Sequence, residues 1–305
     1  TLVADDSNPL AVFPEALYKA ESLRTFLIQH RGYLYPGRVA SKLSFEFTKF
    51  GSLRVLDASN TPNMTGLSSS IGSLKHLRYL NFCRTDIRTL PNTICSLWNL
   101  QVLNLDYCRA LESLPKHLAR LRSLQHLYLK DCRLIQSMPP KIGQLTCLKR
   151  LDLFVVGKRK GCQLSELQDL NLRGQLRVEH LERVGNLMDA KKANLIGKQN
   201  LRRLDLSWES TNGSELQEQL LEALQPHPNL QNLDIQGYMG THFPLWMRDS
   251  VLNNLVDIRF SDCSNCLQLP PFGQLPSLRS LYIRGMDFVE YIYDSDFHGS
   301  GFPSL

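Results

Sequence analysis

Four leucines, Leu77, Leu100, Leu124 and Leu148, recur at steps of 23, 24 and 24 residues within the stretch Ile71 to Leu153. From each, apolar residues follow at +3 and +5: Leu80 and Phe82, Leu103 and Leu105, Leu127 and Leu129, Leu151 and Leu153. At +8 stands Thr85, Cys108, Cys132 or Val156. Units of this kind each carry an apolar face that only a neighbouring unit can cover, so the chain must stack them rather than enlarge a single core. Fully burying one leucine contributes about 1.5–3 kcal/mol, which offsets the ordering of the chain only when the neighbour completes the burial.

The pattern is LxxLxLxxN/C, that of the leucine-rich repeat. The expected fold is an α/β solenoid, a leucine-rich repeat horseshoe. In it the LxxLxL halves alternate inward and outward as short strands of a parallel concave β-sheet. The second halves carry Leu90-Pro91, Leu114-Pro115 and Met138-Pro139. Proline lacks an N–H and fixes φ, so these return segments are expected to be short helical, 3-10 or extended convex pieces.

Taken in order, residues 1–52 are expected to be degenerate N-terminal repeats. Glu15 to Glu21 reads as helix, Leu23, Phe26 and Ile28 as strand, and 33–39 as loop. Leu53 joins the regular block at a step of 24, giving regular repeats over 53–156. Irregular repeats with an insertion are expected over 157–200. They comprise a loop at Gly157 to Gly161, a turn on Leu164, Leu167 and Leu170, a strand at Leu176 and Val178, and a helix from Ala190 to Leu195. Leu201, Leu230, Leu255 and Leu278 resume the pattern over 201–305, and Ser214 to Leu224 reads as a capped convex helix. Leu305 falls where a further repeat would open and Thr1 is no initiator, so a longer natural protein, truncated at the C-terminus, is expected.

The net charge of +6 is mild for 305 residues, and no long basic run accompanies it, which argues against nucleic-acid binding. No window approaches eighteen consecutive apolar residues. The eight cysteines show neither a pairing framework nor zinc-ligand spacing beyond Cys263 and Cys266; reduced structural thiols and a cytoplasmic location are expected. No catalytic constellation, metal site or cofactor site appears. Asp5 and Asp6 are adjacent and diverge, the histidines His117, His126 and His180 read as solvated repeat residues, and GxxxxGK[ST], HExxH and GxSxG are absent. The chain is not expected to be an enzyme.

Three stretches carry a family resemblance: SIGSLKHLRYLNF in the regular block, LRGQLRVEHLERV with DAKKANLIGKQNLRRLDLSW between Leu172 and Trp208, and CSNCLQLPPFGQLPSLRSLYIRGM from Cys263 to Met286. Together they resemble the repeats of plant intracellular immune receptors of the coiled-coil, nucleotide-binding class. The resemblance implies a parent protein with an ADP/ATP switch in a nucleotide-binding domain that this chain lacks. It further implies that the repeats restrain that domain, sense a pathogen effector or a guarded host protein, and so trigger defense. A cytoplasmic parent follows, nuclear or membrane-peripheral in some states.

Recognition by stacked repeats needs side chains between the strand leucines. The expected protein-binding set on the concave face is Tyr79, Arg84, Tyr107, His126, Tyr128, Arg150, Phe154, Arg203, Trp208, Arg259, Tyr282 and Arg284. Tyr107, Tyr128, Phe154, Trp208 and Tyr282 are the expected anchors, and Arg84, Arg150 and Arg203 suit acidic partners. The alternative for each is a solvated residue on a mixed-charge face. Two other functions need only a binding arc: a substrate adaptor of a ubiquitin ligase, and an extracellular receptor ectodomain, for which Asn63 and Asn212 would be glycosylation sequons.

Overall fold

The computed structural model describes residues 2–4, 22–28, 47–61, 64–209, 214–248 and 251–289. The expected helix at Glu15 to Glu21, the loop at 33–39, the two sequon asparagines and Leu305 lie outside them. The chain divides into two compact units, Thr1–Asp152 and Leu153–Leu305.

The first unit is a seven-stranded parallel sheet in sequence order: β1 (Leu2–Ala4), β2 (Thr25–Ile28), β3 (Val55–Asp57), β4 (Tyr79–Asn81), β5 (Val102–Asn104), β6 (His126–Tyr128) and β7 (Arg150–Leu151). Strand β1 carries no leucine stride and was not anticipated. Leu56, Leu80, Leu103, Leu127 and Leu151 stand in register along one inward column, each at most 1% exposed. Main-chain bonds run from rung to rung: the Gln101 N–H donates to Arg78 O, and the Gln125 N–H to Gln101 O, both at 2.8 Å.

The return segments are single 3-10 turns, at Ser69–Ser73, Asn92–Ser96, Leu118–Arg120 and Ile142–Gln144. Each ends on a buried leucine whose N–H closes onto the isoleucine or leucine three residues back, as in Leu97 N to Ile94 O at 3.0 Å. Apolar residues only three apart, with a strand due again within a few residues, favour this tight turn over a longer helix. The +8 side chains tie each turn to its neighbour: Cys108 Sγ donates to Phe82 O and Cys132 Sγ to Leu105 O, both at 3.0 Å.

The second unit is a six-stranded parallel sheet of β8 (Leu153–Val155), β9 (Gly174–Glu179), β10 (Leu201–Ser207), β11 (Asn232–Gln236), β12 (Asp257–Ser261) and β13 (Ser280–Arg284). Its return side carries α1 (Leu187–Lys192), α2 (Ser214–Ala223) and α3 (Leu245–Arg248). Helix α1 starts three residues before the expected Ala190, because the Asn186 side chain caps it by accepting the Met188 N–H at 2.9 Å. Inside the sheet a chain of rings runs through Trp208, Tyr238, Phe243, Phe260 and Phe272, with successive centroids 4.7–5.6 Å apart. Buried Lys198 donates to Leu167 O at 2.7 Å and Leu170 O at 2.9 Å, tying one return segment to the next.

Two expected surface anchors are buried. Phe154 is 0% exposed. In the second sheet it registers with inward Val178, while Leu153 registers with Arg177. The inward parity has therefore slipped by one residue relative to Leu151, and Leu153 and Val155 on the other side of β8 are buried as well. Trp208 is 3% exposed. Its ring packs on Tyr238, 5.6 Å between centroids, instead of pointing outward at the end of β10.

Candidate protein-binding face

Alternation along each strand leaves two outward columns in the first unit. The earlier column runs Val55, Tyr79, Val102, His126, Arg150 and the later one Asp57, Asn81, Asn104, Tyr128. They have different uses. Most of the later column is committed to the chain's own turns: Asp57, Asn81 and Asn104 each accept the N–H two residues ahead through Oδ1, at 2.9 Å. Asn81 also donates to Asp57 Oδ2 at 2.9 Å. Contacts to another molecule therefore fall to the earlier column and to the aromatic that breaks the polar run, Tyr128.

Around Tyr128 the expected residues come together. Its ring stacks on His126 with centroids 6.0 Å apart, and the Arg150 guanidinium lies 4.9 Å from its centroid on the next rung. Arg150 Nε also pairs with Asp152 Oδ1 at 2.8 Å. Burial, with Lys149 and Arg150 nearby, holds the His126 imidazole below its usual pKa, so it is neutral at pH 7. Its Nδ1 has no hydrogen-bond partner among the described residues.

A second cluster sits where the strands end. Asn60, Arg84, Tyr107 and Asp131 all take left-handed φ, between 55° and 60°, at the same position of successive repeats. Asparagine and glycine adopt that geometry readily, whereas arginine and tyrosine are strained there. Gly237 and Gly285 fill the equivalent place in the second unit. The Tyr107 ring has the Arg84 guanidinium 5.2 Å and the Lys130 ammonium 5.7 Å from its centroid. Lys130 is outside the expected contact set, although its place at +6 from Leu124, one rung beyond Tyr107, puts it on the same face in the sequence.

In the second unit the outward side is ionic rather than aromatic. Register brings Arg177, Asp205, Asp234, Arg259 and Tyr282 into one row. Arg203 pairs with Asp205 at 2.8 Å and reaches Asp234 at 3.3 Å, while Arg259 pairs with Asp257 at 2.9 Å. Burial raises the carboxyl pKa of both Asp205 and Asp234 against the opposing pull of Arg203. Tyr282 and Arg284 lie exposed on β13. Of the expected set, Tyr79, Arg84, Tyr107, His126, Tyr128 and Arg150 thus share the outward side of the first unit, and Arg203, Arg259, Tyr282 and Arg284 that of the second.

Among the described residues no group of three or more His, Cys, Asp or Glu is arranged to hold a metal ion. No described helix is long and apolar enough to cross a membrane. Residues 164–286 match a family model described as R13L1/DRL21 LRRs, and residues 123–145 one described as Leucine Rich Repeat. The disease resistance protein RGA2 of Solanum bulbocastanum is 51% identical over 263 residues, covering 84% of this chain. The chain belongs with the leucine-rich repeat regions of plant disease resistance proteins.

It spans 27% of the length of RGA2. Two solved structures share the fold of these disease-resistance repeats at low identity. The functional domain of InlJ from Listeria monocytogenes aligns with TM-score 0.61 and 14% identity, covering 91% of this chain and 52% of that one. A leucine-rich repeat protein of Leptospira interrogans aligns with TM-score 0.59 and 23% identity, covering 90% and 64%.

Proposed function

We propose that this region is the recognition and autoinhibitory part of a plant immune receptor. It would sense a pathogen effector, directly or through a guarded host protein, and trigger a defense response. The observation that carries the reading is the cluster of His126, Tyr128 and Arg150 on the outward side of the first unit, pre-stacked and presented beside turn-committed asparagines. Aromatic and arginine side chains held in one geometry lose little rotamer freedom on binding, which suits them to dominate an interface. Similarity to RGA2 over most of the chain supports placing that interface in an immune receptor. The module itself does no covalent chemistry. ADP or ATP would bind the parent's nucleotide-binding domain, which the repeats would hold inactive from a cytoplasmic position.

The test replaces Tyr79, Tyr128 and Arg150 together by alanine in the full-length parent. Either loss of the pathogen-triggered response or a constitutive response is expected, at unchanged protein level. A normal response, on when challenged and off when not, would remove the strand face from the function.

A further inference from the structure

The first unit divides its charge by half-repeat. Its described return segments and strand starts read FTKFGSLR, SSIGSLKHLR, NTICSLWNLQ, KHLARLRSLQ and PKIGQLTCLK; they hold nine lysines and arginines and no aspartate or glutamate. The remaining halves, from Val55 to Asp152, hold six of each sign among the described residues. The excess is not a requirement of the architecture, because return segments of the second unit carry acids such as Glu166, Asp169, Glu218 and Glu222. Successive 3-10 turns of the first unit stack on one another, so the acid-free segments form one continuous surface.

At its centre is Trp98, 58% exposed, two residues before Leu100. Lys75 and Arg122 occupy the same position of the flanking repeats. The Lys75 ammonium lies 4.9 Å from the Trp98 ring centroid and donates to Ser96 O at 3.3 Å. Arg122 donates to Gln144 O and, at 2.9 Å, to Gln144 Oε1. Both cations are thus held by the neighbouring rung. Exposed Arg54, Arg78 and Lys149 extend the row on the strand side.

We propose that this surface docks an acidic protein segment lying across the rungs. Strands sit about 4.8 Å apart and an extended peptide presents a side chain to one side every ~6.6 Å, so three or four rungs offer cations to two or three carboxylates. One exposed aromatic among arginines has the composition of a protein interface centre. A single-stranded nucleic acid takes a series of stacking rings and an anionic membrane takes several apolar side chains; Trp98 is the only large exposed apolar residue in these segments. The surface borders the outward strand face only at Lys149, beside Arg150 and near His126, and the proposal does not depend on the immune reading.

The 305-residue chain is titrated into a short fluorescein-labelled poly-glutamate peptide and anisotropy is read at rising salt. Binding that weakens with salt is expected. Combined Arg54→Glu, Arg78→Glu and Lys149→Glu should weaken it by at least about a hundredfold, and Trp98→Ala by about fivefold. A control of equal charge change, Arg88→Glu, Arg109→Glu and Arg133→Glu on the balanced halves, should leave the affinity within about twofold. Glutamine in place of glutamate at the first three positions covers a misfolded reversal variant, with circular dichroism as the check. The proposal fails if the peptide does not bind, or if both charge sets reduce binding alike. It also fails if a single-stranded oligonucleotide or phosphatidylserine vesicles bind more tightly than the peptide.

Discussion

The guanidinium of Arg150 lies over the ring of Tyr128, 4.9 Å from its centroid, on the adjacent rung of the sheet. A cation held over a partly exposed ring contributes about 0.5–1 kcal/mol. A double-mutant cycle of Arg150→Ala and Tyr128→Ala, followed by denaturant unfolding, should give a coupling of about that size. Strict additivity would mean that the two side chains do not hold each other in place.

Tyr107 and Trp208 were expected in the same role and should behave oppositely. Tyr107 sits at φ 60°, where Asn60 stands in the equivalent repeat position. A left-handed backbone costs a residue with Cβ roughly 1–2 kcal/mol, so Tyr107→Asn should leave stability unchanged or raise it by up to about 1 kcal/mol. Trp208 is buried against Tyr238, and Trp208→Ala should cost about 3–5 kcal/mol. Thermal unfolding of both variants checks the contrast, and a large loss for Tyr107→Asn would contradict it.

Lys198 predicts an alkaline signature. Burial, only partly opposed by Asp169, pushes its pKa down to about 8, against about 10.4 in an unfolded chain. The unfolded state then binds the proton more tightly. The buried ammonium opposes folding in full below pH 8, and the opposition fades as pH rises from about 8 towards 10.4. Replacing it with methionine orphans no carbonyl, because Leu167 O also accepts the Leu170 N–H and Leu170 O the Leu172 N–H. The unfolding free energy of the wild type minus that of Lys198→Met should therefore climb across this window. A flat difference would show that the amine is solvated.

Thiol labelling reads the stacking directly. Cys147 is exposed and Cys83 half-buried, while Cys95, Cys108, Cys132, Cys162, Cys263 and Cys266 are buried. Burial also raises the pKa of the buried thiols, that of Cys263 to about 12, which starves them of thiolate. Iodoacetamide on the native chain should modify Cys147 first, Cys83 slowly and the other six only in denaturant. Peptide mass spectrometry resolves the order, and early modification of Cys108 or Cys132 would mean that the rungs are not closed.

Much of this was legible in the sequence because the fold is periodic. Leu80, Leu103, Leu127 and Leu151 announce their shared column through a fixed stride, and the turn signals between them give the return segments. What escaped depends on events without a period. The one-residue parity slip after Leu151 turned Phe154 inward, and counting from Leu148 carries no mark of it. Trp208 occupies a position that is outward in other repeats, and only its contact with Tyr238, thirty residues on, takes it into the core. The left-handed turn holding Arg84 and Tyr107 is likewise invisible where arginine and tyrosine replace the residues that normally signal it. The Lys198 clamp needs carbonyls from a segment whose spacing follows no repeat.

Along the strands of the first unit the rungs are joined by peptide groups, as in the Gln125 N–H to Gln101 O bond. The letters written on the earlier outward column, unlike the turn-committed Asp57, Asn81 and Asn104 of the later one, can consequently be exchanged one at a time while the spelling of the scaffold stays intact. Single codon changes can therefore revise what such a surface presents, with each edit felt mainly by the sites on either side of it.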